Sequence, residues 1–116
     1  MSNRYHLSYD AICVDGLPEN NRSNEVRSCL LELLFRRLNA ENIKRPTQST
    51  IVFDTVFDDK EVSSVVETWR RDNYVYYYLS KVADNYDNAG AGYIRRNVEL
   101  DNNIRTEYFK IKENNI

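Results

Sequence analysis

"IKRPTQSTIVFDTVFDDKE", residues 43–61, holds two extended runs back to back and then a helix start. Ile43–Thr47 reads as a short strand. Pro46 makes it an edge, because proline has no N–H to give to a ladder. Thr50–Phe57 reads as a stronger strand, with β-branched and aromatic residues almost throughout. Asp58 and Glu61 then have capping-box-like spacing, with aspartate in the cap role. Two strands in succession followed by a helix form the middle of a longer order, and the flanks supply the rest.

Downstream, Val62, Val65, Val66 and Trp69 recur at helical spacing as one apolar stripe. Tyr74–Val82 follows as a tyrosine-rich strand. Upstream, Asn24 is placed to cap a helix beginning at Glu25. Val26, Cys29, Leu30, Leu33, Leu34 and Leu38 form its buried stripe, and Arg27, Glu32 and Arg36 its outer face. This helix ends near Asn39–Asn42. A turn-rich stretch precedes it: Asp15, Gly16, Pro18, then Glu19-Asn20-Asn21. The first strand, Tyr5–Ile12, alternates: Tyr5, Leu7, Tyr9 and Ala11 point one way, and His6, Ser8 and Asp10 the other. The pattern is β-α-β-β-α-β, which predicts an α+β, ferredoxin-like sandwich over residues 1–82. Residues 83–116 are a C-terminal extension. It is polar and asparagine-rich around Asp84–Gly92. Two strand-like pieces, Tyr93–Leu100 and Ile104–Lys112, are expected to form a hairpin or to join this chain's sheet or a partner's.

Composition narrows the function. A chain of 116 residues with 41% hydrophobic and 12% aromatic residues is expected to fold as one domain. Its formal charge of −2 gives no global attraction to nucleic acid, so any such binding needs a local basic cluster or an assembly. No apolar run approaches the roughly 20 residues of a membrane span, and no export pattern opens the chain. The two cysteines, Cys13 and Cys29, are expected as reduced thiols in a cytoplasmic protein with no membrane partner. With one histidine, His6, they are too few for a zinc site. There is no nucleophile elbow, P-loop or dinucleotide fingerprint.

A ferredoxin-like sheet has strand order 4-1-3-2 with both helices on one side, which leaves the other face open. Leu7, Tyr9, Ile51, Phe53, Val75, Tyr77 and Leu79 are expected under the helices. His6, Ser8, Asp10, Thr50, Val52, Asp54, Tyr74, Tyr76 and Tyr78 are expected on the open face. With strands 1 and 3 taken as parallel neighbours, Asp10 and Asp54 lie near the same end. Two close carboxylates repel unless a proton or a cation lies between them. Magnesium, an oxygen-seeking ion, fits such a pair, with Asp10 as the metal ligand and Asp54 as helper. The alternative is that both merely end strands in solvent. Tyr74, Tyr76 and Tyr78 are too much aromatic area for a wet patch. They stack nucleic-acid bases or, better suited to a chain that is not basic, pack with His6 in a homodimer interface. Arg36, Arg37, Lys44 and Arg45 are the best candidates for phosphate contact with RNA or DNA, with Arg95-Arg96 a weaker second cluster.

A strand ending Tyr9-Asp10, a helix, "RPTQSTIVFDT" (45–55), an acidic helix start and "YVYYYLSKV" (74–82, with its first residue Tyr74) together resemble a known family. It is that of the small CRISPR-associated "Cas two"-type endoribonucleases and their stand-alone relatives, the virulence-associated protein D toxins. The resemblance covers about residues 4–82. It implies a ferredoxin-like homodimer in which Asp10 from each subunit nears the dimer axis and holds Mg²⁺ for phosphodiester hydrolysis. Ser49 is similar to a family serine. In adaptation complexes of that family the same fold holds DNA without needing nuclease activity. Here the stretch after Asp10 is long and acidic (Asp15, Glu19) and the tail is extended. Both departures point to a stand-alone relative, such as one carried on a mobile element. Two readings follow: a metal-dependent nuclease, or a non-catalytic dimeric nucleic-acid-binding or assembly module.

Overall fold

The computed structural model describes residues 2–11, 19–82 and 97–115. In chain order the elements are β1 (Asn3–Ala11), α1 (Glu19–Leu38), β2 (Glu41–Thr47), β3 (Thr50–Thr55), α2 (Asp59–Asn73), β4 (Val75–Val82) and α3 (Val98–Asn114). The fold is α+β. The four strands form one antiparallel sheet in the order β2-β3-β1-β4.

The strand directions correct the expectation that strands 1 and 3 are parallel. β1 and β3 are antiparallel, with Arg4 opposite Asp54 and Ser8 opposite Thr50. The reason is topological. The crossover through α1 brings β2 back in the direction of β1, and the tight β2–β3 turn then reverses the chain. Asp10 and Asp54 therefore lie toward opposite ends of the sheet. Six residue steps along β1 separate Asp10 from Arg4, a span of roughly 20 Å at strand rise.

The core follows the two periodicities. Tyr5, Leu7, Tyr9, Ile51, Phe53 and Val75 point from the sheet toward the helices and are buried. Val26, Leu30, Leu31, Leu34 and Leu38 of α1 meet Val62, Val65, Val66 and Trp69 of α2 over them. Cys29 and Leu33, expected in the α1 stripe, are half-buried beside it. Trp69 joins three elements. Its indole N–H donates to the Val26 carbonyl at 3.0 Å, and its ring meets Tyr9 edge-on at 5.3 Å between centroids. Asp58 caps α2 by accepting from the Glu61 N–H at 3.0 Å, as its spacing predicts.

Several boundaries differ from the sequence reading. α1 starts at Glu19, so Glu19-Asn20-Asn21 are helical rather than a turn, and Asn24 is an interior residue that accepts from Arg27. β3 ends at Thr55, whose hydroxyl donates to the Leu38 carbonyl at 2.7 Å and accepts from the Phe57 N–H. Tyr74 is not in β4. It sits at φ 52°, in the left-handed region, as the C-cap of α2. Cys13, Asp15, Gly16, Pro18, the Asp84–Gly92 stretch and Arg95-Arg96 lie outside the described residues.

The largest correction is the tail. The residues expected as strands, Tyr93–Leu100 and Ile104–Lys112, fall for the most part on the helix α3, which Asn97 caps by accepting from the Leu100 N–H. Asp101, Ile104 and Tyr108 recur at helical spacing and are buried. α3 packs on β2 and α1. Asp101 accepts from the Arg45 backbone N–H at 2.8 Å, and the Tyr108 hydroxyl donates to the Ala40 carbonyl at 2.7 Å. The β2 edge of the sheet is thus covered by a helix, and Ile104 and Tyr108 of α3 share the hydrophobic core. Among the described residues, no helix is long and apolar enough to cross a membrane.

Candidate functional site

All three helices lie away from one sheet face, which receives the polar alternates of β1, β3 and β4. His6 stands opposite Val52 and Ser80, Ser8 opposite Thr50 and Tyr78, and Asp10 opposite Tyr76. Tyr76 and Tyr78 are each 71% exposed, and Tyr74 at the end of α2 is 64% exposed. His6 is half-buried among its strand neighbours. Neighbouring side chains on one sheet face lie within about 4.5–5.5 Å at Cβ, so Asp10 and Tyr76 form one local group, as do Ser8 and Tyr78.

Asp10 is exposed and, among the described residues, has no hydrogen-bond or ion-pair partner. It borders a shallow cavity of about 220 Å³ with Ser8, Ser49, Tyr76 and Tyr78. Ser49 is held there because its carbonyl accepts from the Tyr9 N–H at 2.9 Å, which carries the β1–β3 ladder one step past the strand end. Behind the cavity the hydroxyls of Ser8, Thr50 and Thr47 are linked, at 3.2 and 2.8 Å.

Asp54 has a different environment. It is 8% exposed and takes a hydrogen bond from Arg4 Nε at 2.9 Å, a second from Arg4 Nη2 at 3.4 Å, and one from Asn42 Nδ2 at 2.9 Å. Burial alone pushes this carboxyl up. The bonds from Arg4 and Asn42, with the charges of Arg4 and Lys44, outweigh it and hold the group below its ordinary value. Asp54 is therefore a saturated, ionised carboxylate in an ion pair, remote from Asp10. Its partner Arg4 was missed in the sequence, although it sits on the same alternate as His6, Ser8 and Asp10. An antiparallel register would have paired it with Asp54.

The expected basic cluster is divided. Lys44 stands opposite Val52 on the open side. The Arg45 guanidinium instead reaches the Gln48 carbonyl at 2.8 Å, and burial and then the like charge of Arg27 lower its pKa. Arg36 is tied to Asn115, the C-cap of α3, at 2.6 Å and to Glu32 at 3.0 Å. Arg37 is exposed at the end of α1.

Magnesium takes oxygen ligands from one or two carboxylates plus water and phosphate. In a single copy Asp10 offers one carboxylate with hydroxyls beside it. Among the described residues, no three His, Cys, Asp or Glu side chains gather as a metal-binding group. One carboxylate with hydroxyls beside it is a partial donor set for magnesium, which water, phosphate or a carboxylate such as Asp10 of a second copy would complete.

No family model, no curated protein and no solved structure matches this chain.

Proposed function

We propose that this chain has a ferredoxin-like fold and serves as a non-catalytic homodimeric assembly module, with its open sheet face as the working surface. The strand order β2-β3-β1-β4 and the helices on one side support the fold. The observation that carries the function is the chemistry of the face that no described helix covers. It presents Tyr76 and Tyr78 side by side, with Arg4 and Lys44 balanced by Asp54 and Asp10. A face that is aromatic and has no net positive charge suits another protein surface better than a phosphate backbone. A second copy is the partner of choice, because one patch can meet itself across a two-fold axis. The assignment is tested by light scattering at micromolar concentration. Wild type is expected as an assembly, and the double substitution Tyr76→Asp with Tyr78→Asp as a smaller species that still folds. A wild-type monomer refutes it.

One observation favours the nuclease reading, with its resemblance to the "Cas two"-type enzymes. Among the described residues Asp10 has no hydrogen-bond or ion-pair partner, and it shares its cavity with Ser49; these are the two residues that the resemblance marks. In that reading Asp10 from two copies holds Mg²⁺, which lowers the pKa of a bound water and stabilises charge on the phosphate. Wild type and Asp10→Asn, purified identically, are assayed on RNA and DNA with Mg²⁺ and with chelator. The assembly reading expects equal, background cleavage in both. A Mg²⁺-dependent signal that Asp10→Asn removes by orders of magnitude establishes the nuclease instead.

A further inference from the structure

The two edges of the sheet are finished differently. The β2 edge carries Pro46, has register shifts between Glu41, Lys44 and Thr47, and lies under α3, where Asp101 takes the Arg45 N–H. Each of these devices blocks strand addition. The β4 edge has none of them among the described residues. β4 runs eight residues, "VYYYLSKV", without proline, glycine or register shift, and pairs with β1 from Val75 to Val82. It is the last strand on its side, so alternate N–H and C=O groups point away from β1 with no described strand beyond.

The helix behind this edge supplies a charge pattern. α2 runs antiparallel to β4. Asp59 lies 3.5 Å from Lys81 at one end, Glu67 accepts from the Tyr77 hydroxyl in the middle, and Arg70 and Arg71 line a cavity with Val75 and Tyr76 at the other end. The end of α2 near Val82 carries Asp58, Asp59 and Glu61 against one Lys60, with Asp59 also accepting from the Tyr5 hydroxyl, and is acidic on balance. The end near Val75 carries Arg70, paired with Glu67, and Arg71 against one Asp72. A two-fold axis normal to the sheet, through the middle of β4, sets Val75 of one copy near Lys81 of the other. It brings the basic end of α2 against the acidic end of its mate.

We propose that β4 pairs antiparallel with β4 of a second copy, joining two sheets into one of eight strands, with Arg71 and Asp59 of opposite copies in register across the joint. The charge pattern of α2 selects this occupant, because a strand antiparallel to itself meets complementary charge while a parallel one meets like charge. The joint keeps both tyrosine faces on the same side, and it does not depend on those faces being an interface.

The test is amide hydrogen exchange along β4 from nanomolar to high micromolar concentration, run with sedimentation on the same samples. Edge pairing is expected to protect the alternate β4 amides that point away from β1, and to do so in step with assembly. A face-to-face contact leaves those amides unpaired. Arg71→Glu is expected to raise the dissociation constant at least about 10-fold, because it sets an acidic residue against the acidic end of α2 of the other copy. Outward β4 amides that exchange rapidly in fully assembled protein overturn the proposal. Protection that is already complete in the monomer overturns it too, because the chain's own residues then cover the edge. Loss of the tyrosine face with retained edge protection removes the proposed working surface and leaves the edge joint standing.

Discussion

Asp54→Asn tests whether this residue is structural machinery or a catalytic helper. The substitution keeps the shape and removes the charge. It also turns one oxygen into an amide donor that faces the Arg4 and Asn42 donors. Removing one partner of a fully buried ion pair costs about 3–5 kcal/mol. The Arg4 side chain is 28% exposed, so water recovers part of its hydration and the expected loss is about 2–4 kcal/mol. A chain of this length is stable by about 6–17 kcal/mol at typical values per residue, so the loss is large and the fold survives. In urea the midpoint should fall by about 1–2 M with an unchanged slope. The pH dependence adds a signature. The folded-state carboxyl lies below its ordinary value, so its stabilisation is complete above about pH 5. It disappears as pH falls through the unfolded value near 3.9 toward the folded one. The gap between wild type and Asp54→Asn should therefore narrow on the acid side. A variant as stable as wild type, or a gap that stays constant down to pH 3, refutes this account.

Trp69→Ala removes the side chain that ties α1, α2 and β1 together. It should cost about 3–5 kcal/mol in urea unfolding; an unchanged curve would mean that α2 does not close the core. Tyr108→Phe removes the buried donor to the Ala40 carbonyl and should cost about 1–1.5 kcal/mol, with α3 remaining docked by circular dichroism. A loss below about 0.3 kcal/mol would show that water satisfies this carbonyl instead.

The local patterns were legible where one face of an element is buried. Alternation marked Tyr5, Leu7 and Tyr9, the spacing of Val62, Val65, Val66 and Trp69 marked α2, and Asp58 marked its start. Each signal rests on side-chain periodicity alone. The start of α1 escaped because its first exposed residues, such as Ser23 and Asn24, carry no apolar stripe. The tail was read as strand from Ile104, Thr106, Tyr108, Phe109 and Ile111, residues with high β-propensity. The spacing of Asp101, Ile104, Tyr108 and Ile111 fits a helix, and packing on β2 and α1 overrides propensity there. At the candidate site, the open face and the accessibility of Asp10 followed from alternation. The placement of Asp54 did not, because it depends on strand direction and on Arg4, fifty residues away in sequence.

The tail also changes what the basic residues are for. Four were assigned to phosphate because they are cations near one another in sequence. Two of them, with Arg27, are engaged by α3 or its surroundings. Arg27 bonds Glu107 at 2.9 Å, Arg36 bonds Asn115, and the Arg45 N–H is taken by Asp101. Moving Arg45 to a phosphate would strip the Gln48 carbonyl of its donor, and moving Arg27 would leave Glu107 uncompensated at the α1–α3 joint. With Arg27 and Arg36 bonded to α3 and its cap, and Arg4 committed to Asp54, the open sheet face presents, among the described residues, tyrosines, Lys44 and the Asp10 carboxylate. The same helix closes one edge against further pairing, and among the described residues β4 is the other edge, the one at which the proposed pairing would occur. Edge pairing limited to β4 closes after two copies, because a sheet open at both edges would propagate into a fibre.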